Sequence, residues 1–549
     1  MHPSKDAVRP TSQTFTDRDR FIGFAFAAAH LLIEINAQNI ITFAAGARCG
    51  LVSTDIAELT GRPVSTLVLP EDRSCLSAIL SRLDVSGRAD PTPVRLLGYD
   101  GQSLVARIGG CRLPGGDGMR HLSVLMTPTA SAPRVASLEE MLEGLESRLA
   151  AAAARGEDRG LTLVAFDGAH GLARQLPSER LAEVRETFEA YLRAVSDNGD
   201  GAARLGEGLY AVLHGAGVDE AAIRRFLANL LPPAGRDAGP RVWQMDLPTG
   251  PTGPTAPRDA ARALAYVLQS FAAEGPEALA TKTGNSRSFM ADVSERVAEL
   301  RRMIDERRFS LVFQPIVRVQ DGALHHVEAL SRFERGANTQ EIITFAERVG
   351  MIPELDLAVF HAAARAISQA RAPGLLPPRV AVNVSAASLA RPGFTTRLLA
   401  LASAEGVSAD RMMVELTETA SVPDLRPVAS GLEELKAYGF ATCLDDVGAG
   451  TTSFAGLSAL AVDLVKIDGS LVRAAVKDDR DLMIFASVVE MCRRLGRQVV
   501  GEHVETSDHR RLLARHGVML AQGWLYGQPT QDLSSLNSRS ERTLRAGAA

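Results

Sequence analysis

A TIM-type (β/α)8 barrel over residues 285–532 is the fold predicted for the carboxyl-terminal half of this multidomain α/β chain of 549 residues. Three observations predict it. Apolar runs of strand length alternate with helix-length segments, the runs number eight, and each stops at a polar residue. In such a barrel the carboxyl ends of the strands converge on one face, so scattered polar residues become a single rim.

The first two runs flank the turn Asp321-Gly322 within FQPIVRVQDGALHHVEALSR. Glu328 lies among Val327, Ala329 and Leu330, where a carboxylate is costly to bury unless something meets it. Taken alone, Arg332 would suffice as its partner. Later runs end at Asn383, at Glu415 and Glu418, and at Asp445 and Asp446. The last three end at Lys466 and Asp468, at Glu502 and Glu505, and at Gln522. Carboxylates gathered on one rim repel and take up protons unless cations sit among them. Oxygen donors with one amide suit Mg²⁺ or Mn²⁺, and neither Cys nor His stands at these strand ends to favour zinc. The pair Asp445-Asp446 suits two ions about 3.5–4 Å apart, the arrangement of metal-assisted phosphodiester cleavage.

In order and spacing, VEALSR, NVS, ELTE, DDVGAG, KID, EHVET and QGWLYGQP resemble the EAL-domain phosphodiesterases, over about residues 300–532. The resemblance implies hydrolysis of cyclic di-GMP to linear pGpG by two Mg²⁺ or Mn²⁺ ions. It implies Glu328, Asn383, Glu415 and Asp445 on one ion, with Asp445 and Asp446 reaching the second. Glu502 would position and deprotonate the attacking water, and Lys466 would offset transition-state charge. Gln522 would orient a water at the metals, Gln314 and Arg332 would contact guanine and phosphate, and Leu330, Asp468 and Glu505 would complete the pocket. Glu418 matches the glutamate that anchors the loop after Asp446. The family dimerises through this domain, so a homodimer is implied. Two departures stand out: Val447 and Ala449 replace the usual Phe and Thr, and His503 replaces a usual glycine. Strand alternation predicts that His503 turns away from the side that Glu502 faces. The competing expectation is a barrel that binds cyclic di-GMP without cleaving it and signals through a protein partner; the complete metal set favours catalysis.

Elsewhere the chain is near neutral for its size, with a net charge of −5, which gives no general attraction to nucleic acid polymers or anionic membranes. Five cysteines without paired spacing suit a reducing cytoplasm. The apolar start Phe21–Ala29 is too short to span a bilayer, so no membrane insertion is expected. Residues 1–19 and 533–549 read as flexible polar tails.

Residues 20–130 read as an α+β domain. LLIEINAQNIITF is a strand pair with a central turn, and VRLLGYDGQSLVARI is a hairpin turning at Asp100-Gly101. With LTGRPV and LVLPEDR these resemble a PAS sensor domain, whose ligand stays unknown: His30 and His121 are lone histidines, more often structural than haem-binding. A second α+β domain, 131–284, opens with an Ala-rich helix from Leu138 to Arg155. Its strand LTLVAFDG, helix SERLAEVRETFEAYLRAV and hairpin AARLGEGLYAVLHGAG follow the order of a GGDEF diguanylate cyclase. The signature has decayed to Leu205, Gly206, Glu207, Gly208 and Leu209, so even with Asp167 retained no cyclase activity is expected. Whether it still binds GTP stays open against a spacer role. A charged amphipathic helix, with Val293, Val297, Leu300 and Ile304 on one face, then enters the barrel as a coiled linker or as the barrel's own first helix.

Overall fold

The computed structural model describes residues 29–46, 56–97, 103–112, 118–126, 134–165, 177–196, 201–215, 220–230, 241–247, 256–276, 286–334, 338–371, 377–417, 424–448, 457 and 459–536. The chain divides into two compact units between Glu295 and Arg296, within the helix Ser286–Asp305.

In the first unit, β1 (Leu31–Ile35), β2 (Ile41–Gly46), β3 (Arg88–Leu97), β4 (Ser103–Cys111) and β5 (Arg120–Met126) form an antiparallel sheet of order β2-β1-β5-β4-β3. Leu31, Ile33 and Ile35 alternate inward along β1, as a half-buried strand requires. The β1–β2 turn falls where the sequence placed it, with Asn39 left-handed at φ 62°. β3 and β4 pair as the expected hairpin; its tip, Asp100-Gly101, lies outside the described residues. His30 and His121 have local partners, the Met126 amide and Glu34.

A second sheet has the order β10-β7-β9-β8-β6. Its strands are β6 (Ala136–Ser137), β7 (Arg159–Ala165), β8 (Ala202–Gly206), β9 (Leu209–Gly215) and β10 (Arg241–Leu247). Glu207 and Gly208 form the tight β8–β9 turn, with Gly208 at φ 70°. The expected Ala-rich helix is broken at Gly144 into Leu138–Glu143 and Leu145–Ala154. Asp167 lies outside the described residues. One apolar core runs through both sheets, joining Leu76, Ile79 and Leu83 of the helix Arg73–Ser86 to Phe188, Leu192 and Val195 of the helix Ser178–Val195. Asp72, fully buried, receives Arg95 at 2.9 Å and Arg193 at 3.5 Å. The division drawn near residue 130 therefore separates sheets that share a core.

The second unit is the barrel. Its strands are β11 (Phe309–Arg318), β12 (Leu324–Phe333), β13 (Val380–Ser385), β14 (Met412–Thr417), β15 (Ala441–Val447), β16 (Leu464–Ile467), β17 (Gln498–Gly501) and β18 (Leu520–Gln522), closed in that order. From β12 to β18 neighbours are parallel, but β11 is antiparallel to both β12 and β18. The expected eight-stranded TIM-type barrel is present, with this one strand reversed. The Asp321-Gly322 turn is too short for the crossover that parallel strands need. Leu533 and Leu536 are also buried, so the ordered chain runs past the boundary set at residue 532.

Ile316, Ala381, Met413, Cys443, Leu464, Val500 and Leu520 fill the barrel interior as one apolar layer. Strand side chains repeat every two residues, so the next inward residue toward the rim on each of these strands is polar. Those residues are Gln314, Asn383, Glu415, Asp445, Lys466, Glu502 and Gln522, with Glu328 following His326 on β12 by the same step. A polar layer thus rests on an apolar plug, positioned by register alone.

Candidate active site

Lys466 is the centre of this layer. Its ammonium, 1% exposed, lies 3.1 Å from Glu328, 3.1 Å from Asp445 and 2.8 Å from Glu502, and it also bonds Glu415. Burial works against its charge, but the four carboxylates outweigh burial and hold its pKa well above the ordinary lysine value. The partner of Glu328 is therefore Lys466, while Arg332, exposed at the mouth, donates to the Ser331 carbonyl.

One cation cannot satisfy four acids. Burial pushes Glu415 well above the usual carboxylate range, and repulsion from Glu328 and Asp445 adds to it. Glu502 is raised to about 8, by burial first and then by Asp445 and Glu328. Burial also acts to raise Glu328, but Lys466, with hydrogen bonds from Gln522 (2.6 Å) and Asn383 (2.9 Å), brings it below the usual range.

The donors left over fit hard cations. Asn383 Oδ1, Glu415 Oε2 and Gln522 Oε1 are buried and have no hydrogen-bond partner. An unmet buried oxygen costs about 1–3 kcal/mol, which coordination would recover. Glu328, Glu415 and Asp445 can each bring an oxygen within 4.8 Å of the others, and so can Asp445, Asp446 and Glu502. Asp445 belongs to both triads, as a residue shared between two ions must.

Adjacent strand residues point to opposite faces, so both aspartates reach the site only through an irregularity. β15 supplies it: the register against β16 slips between Leu444 and Val447, and Asp446 is left-handed at φ 54°. Asp446 is exposed at the rim and Val447 is buried behind it. Ala449 and Glu418 lie outside the described residues.

Two cavities open on this layer. One, of about 280 Å³, is lined by Glu328, Leu330, Arg332, Asn383, Asp445 and Asp446, with Asp356 and Thr417. A second, of about 130 Å³, holds Gln314, Glu502, His503, Glu505, Gln522 and the exposed Trp524. Gln314 accepts from Gln522 at 3.2 Å, while the Asp468 carboxylate caps the helix Gly469–Ala475 through the Ser470 amide at 2.9 Å. Neither Asp468 nor Glu505 pairs with Lys466. The sequence reading passed over Asp356. It sits buried on the apolar helix Ile352–Gln369, accepts from the Ser385 amide at 2.9 Å, and is raised to about 6 by burial. An acid within IPELDLAVF was the available signal.

His503 corrects an expectation. β17 ends at Gly501, so alternation does not extend to 503, and a left-handed φ of 50° turns His503 into the same cavity as Glu502. That backbone conformation explains why glycine suits this position. The imidazole sits against Gly469, where an added Cβ would fall 2.4 Å from His503 Cβ, Cγ and Nδ1. Gly469→Ala should therefore lower stability by about 1–3 kcal/mol, the range for overpacking. Thermal melting should show most of that loss restored in the Gly469→Ala/His503→Gly double variant, and no restoration would mean the clash lies elsewhere.

Among the described residues no helix is long and apolar enough to cross a membrane, and Cys75, Cys111, Cys443 and Cys492 are unpaired.

The EAL domain family matches residues 297–529. Cyclic di-GMP phosphodiesterase NbdA of Pseudomonas aeruginosa is 31% identical over 235 residues, which cover 42% of this chain and 30% of that protein. The chain thus spans under a third of that relative's length. An uncharacterised protein of Mycobacterium tuberculosis is 31% identical over 253 residues, covering 44% of this chain and 80% of its own. Among solved structures, the MucR phosphodiesterase in complex with c-di-GMP is 28% identical, with a TM-score of 0.40 and coverage of 43% of this chain and 97% of that one. With a closed barrel over the matched residues and a polar side chain at every expected strand end, this chain belongs to the EAL-domain family.

Proposed function

We propose that the barrel hydrolyses cyclic di-GMP to linear pGpG, using two Mg²⁺ or Mn²⁺ ions. The observation that carries this reading is the buried carboxylate cage whose spare oxygens, Asn383 Oδ1 and Glu415 Oε2, have no partner in the protein. The activity named for NbdA supports the same reading. Glu328, Asn383, Glu415 and Asp445 would hold one ion, and Asp445 with Asp446 the other. Bound there, the ions would supply Lewis acidity and a nucleophile at neutral pH.

The chain's own groups then have distinct tasks. Glu502, whose affinity for a proton is raised by burial, accepts the proton of the attacking water. Lys466, fixed by four carboxylates, offsets charge as the phosphorus centre becomes five-coordinate. Arg332, unpaired with any described carboxylate at the mouth, takes a phosphate oxygen; Gln314, on the opposite side, contacts a guanine, and Gln522, which donates to Gln314, would orient a water at the ions. Leu330 and Glu505 shape the two cavities, and Asp468 supports the pocket by holding the Ser470 amide at the start of the helix that follows β16. The amino-terminal unit regulates this activity as a PAS-like sheet joined to a GGDEF-like sheet. The Glu207-Gly208 turn in place of an acidic signature supports a lost cyclase. The protein acts in the cytoplasm as a homodimer through its barrel.

The test is incubation of the purified full chain with cyclic di-GMP and Mg²⁺, with chromatography for pGpG. Binding without product would favour a nonhydrolytic receptor. Substituting Ca²⁺, whose bonds of about 2.3–2.6 Å exceed the 2.0–2.1 Å of Mg²⁺, should stop turnover. Undiminished turnover in calcium alone would remove the two-ion arrangement.

A further inference from the structure

A cavity of about 660 Å³ opens at the end of the barrel opposite the carboxylate rim. Ala441, Leu464 and Gln498 are the first residues of β15, β16 and β17, His325 is the second of β12, and Arg379 directly precedes β13. The volume lies within the roughly 300–1,000 Å³ of small-molecule sites. Its chemistry is opposite to that of the rim. Arg379, Lys436 and Arg497 line it against one acid, Asp463, in a chain of net charge −5.

That acid is already engaged. Asp463 pairs with Lys436 at 2.8 Å and accepts from the Thr442 amide at 2.9 Å and hydroxyl at 3.0 Å. The two guanidiniums are fixed by carbonyls, Arg379 on Asp410 at 2.9 Å and Arg497 on Leu460 at 2.8 Å. Carbonyl bonds orient a guanidinium without neutralising it; the one described carboxylate that feels the charge of Arg379, Asp410, is already paired with Arg411 at 2.9 Å, and no described carboxylate forms an ion pair with Arg497. Arg497 Nη1 is buried with no hydrogen-bond partner at all. A planar fork with free donors is matched by a tetrahedral oxyanion.

We propose that this basal cavity binds a phosphate-bearing small anion, held by Arg379 and Arg497 with Lys436 at its edge. A diphosphate carries charge enough to balance the two guanidiniums, Lys436 being paired with Asp463, and the volume leaves room for a nucleoside attached to it.

The test is isothermal titration calorimetry of the full chain with inorganic pyrophosphate and, separately, with ADP, both in EDTA so that the rim carboxylates repel the probe. Saturable binding weakened by salt is expected, at least tenfold weaker in Arg379→Gln/Arg497→Gln and unchanged in Glu328→Ala. Tighter binding of ADP identifies a nucleotide as the ligand, and equal affinity identifies the diphosphate alone as the determinant; both support the site. No saturable binding of either probe, or undiminished affinity in the double variant, overturns it. Should circular dichroism show that the double variant fails to fold, Lys436→Gln serves in its place, and unchanged affinity there overturns the site equally.

Discussion

Glu328→Ala and Asp445→Ala are each expected to reduce cyclic di-GMP hydrolysis to near background, while leaving the barrel folded. Glu328 contributes to the triad with Glu415 and Asp445, and Asp445 is common to both triads. Losing either removes a charge that a dication needs, and metal polarisation is worth several kcal/mol of transition-state stabilisation. At about 1.4 kcal/mol per factor of ten, the expected loss is on the order of a thousandfold in kcat. Folding should survive because each deletion removes one of four acids competing for Lys466, which lessens repulsion. Single-turnover assays beside thermal melts make the check. Turnover within tenfold of the parent in either variant would show that the triads are not the metal site.

Most of this rim was legible because a barrel strand repeats at two. Once eight apolar runs are recognised, the polar residue ending each one falls on a common face, which is how Asn383, Glu415 and Gln522 were found together. What stayed hidden depends on distance in sequence or on broken regularity. Nothing near Lys466 in the chain indicates that it lies under acids from β12, β14, β15 and beyond β17, because its partners are set by barrel closure. The slip at Asp445-Asp446 and the left-handed turn at His503 break the alternation on which the sequence reading relied, so adjacent residues reach one site. The basal cavity escaped for another reason. Arg379, Lys436 and Arg497 look like solvated surface charges until barrel closure brings the starts of β12, β13, β15, β16 and β17 together.

Lys466→Met tests a different property of the same layer, since it removes the only described cation that touches the cage. In the metal-free protein, breaking a buried ion pair by deleting one partner costs about 3–5 kcal/mol, and here four carboxylates lose their partner at once. The sign with pH follows from the raised lysine pKa: the stabilisation is present throughout the neutral range and is lost only as pH climbs past the ordinary lysine value toward the higher folded one. The melting temperature of the metal-free variant should therefore fall well below the parent's at pH 7. Divalent ions offer the remaining compensation, so saturating Mg²⁺ should raise melting of the variant by more than it raises the parent, through binding to the folded state alone. Catalysis should not follow stability. With the ammonium gone from beside Glu502, kcat should stay about a hundredfold or more below the parent even with metal bound, the scale seen when one preorganised charge donor is deleted. Equal magnesium-induced shifts in parent and variant would mean that the lysine and the ions do not share the cage, and parental kcat would mean that the lysine only packs it.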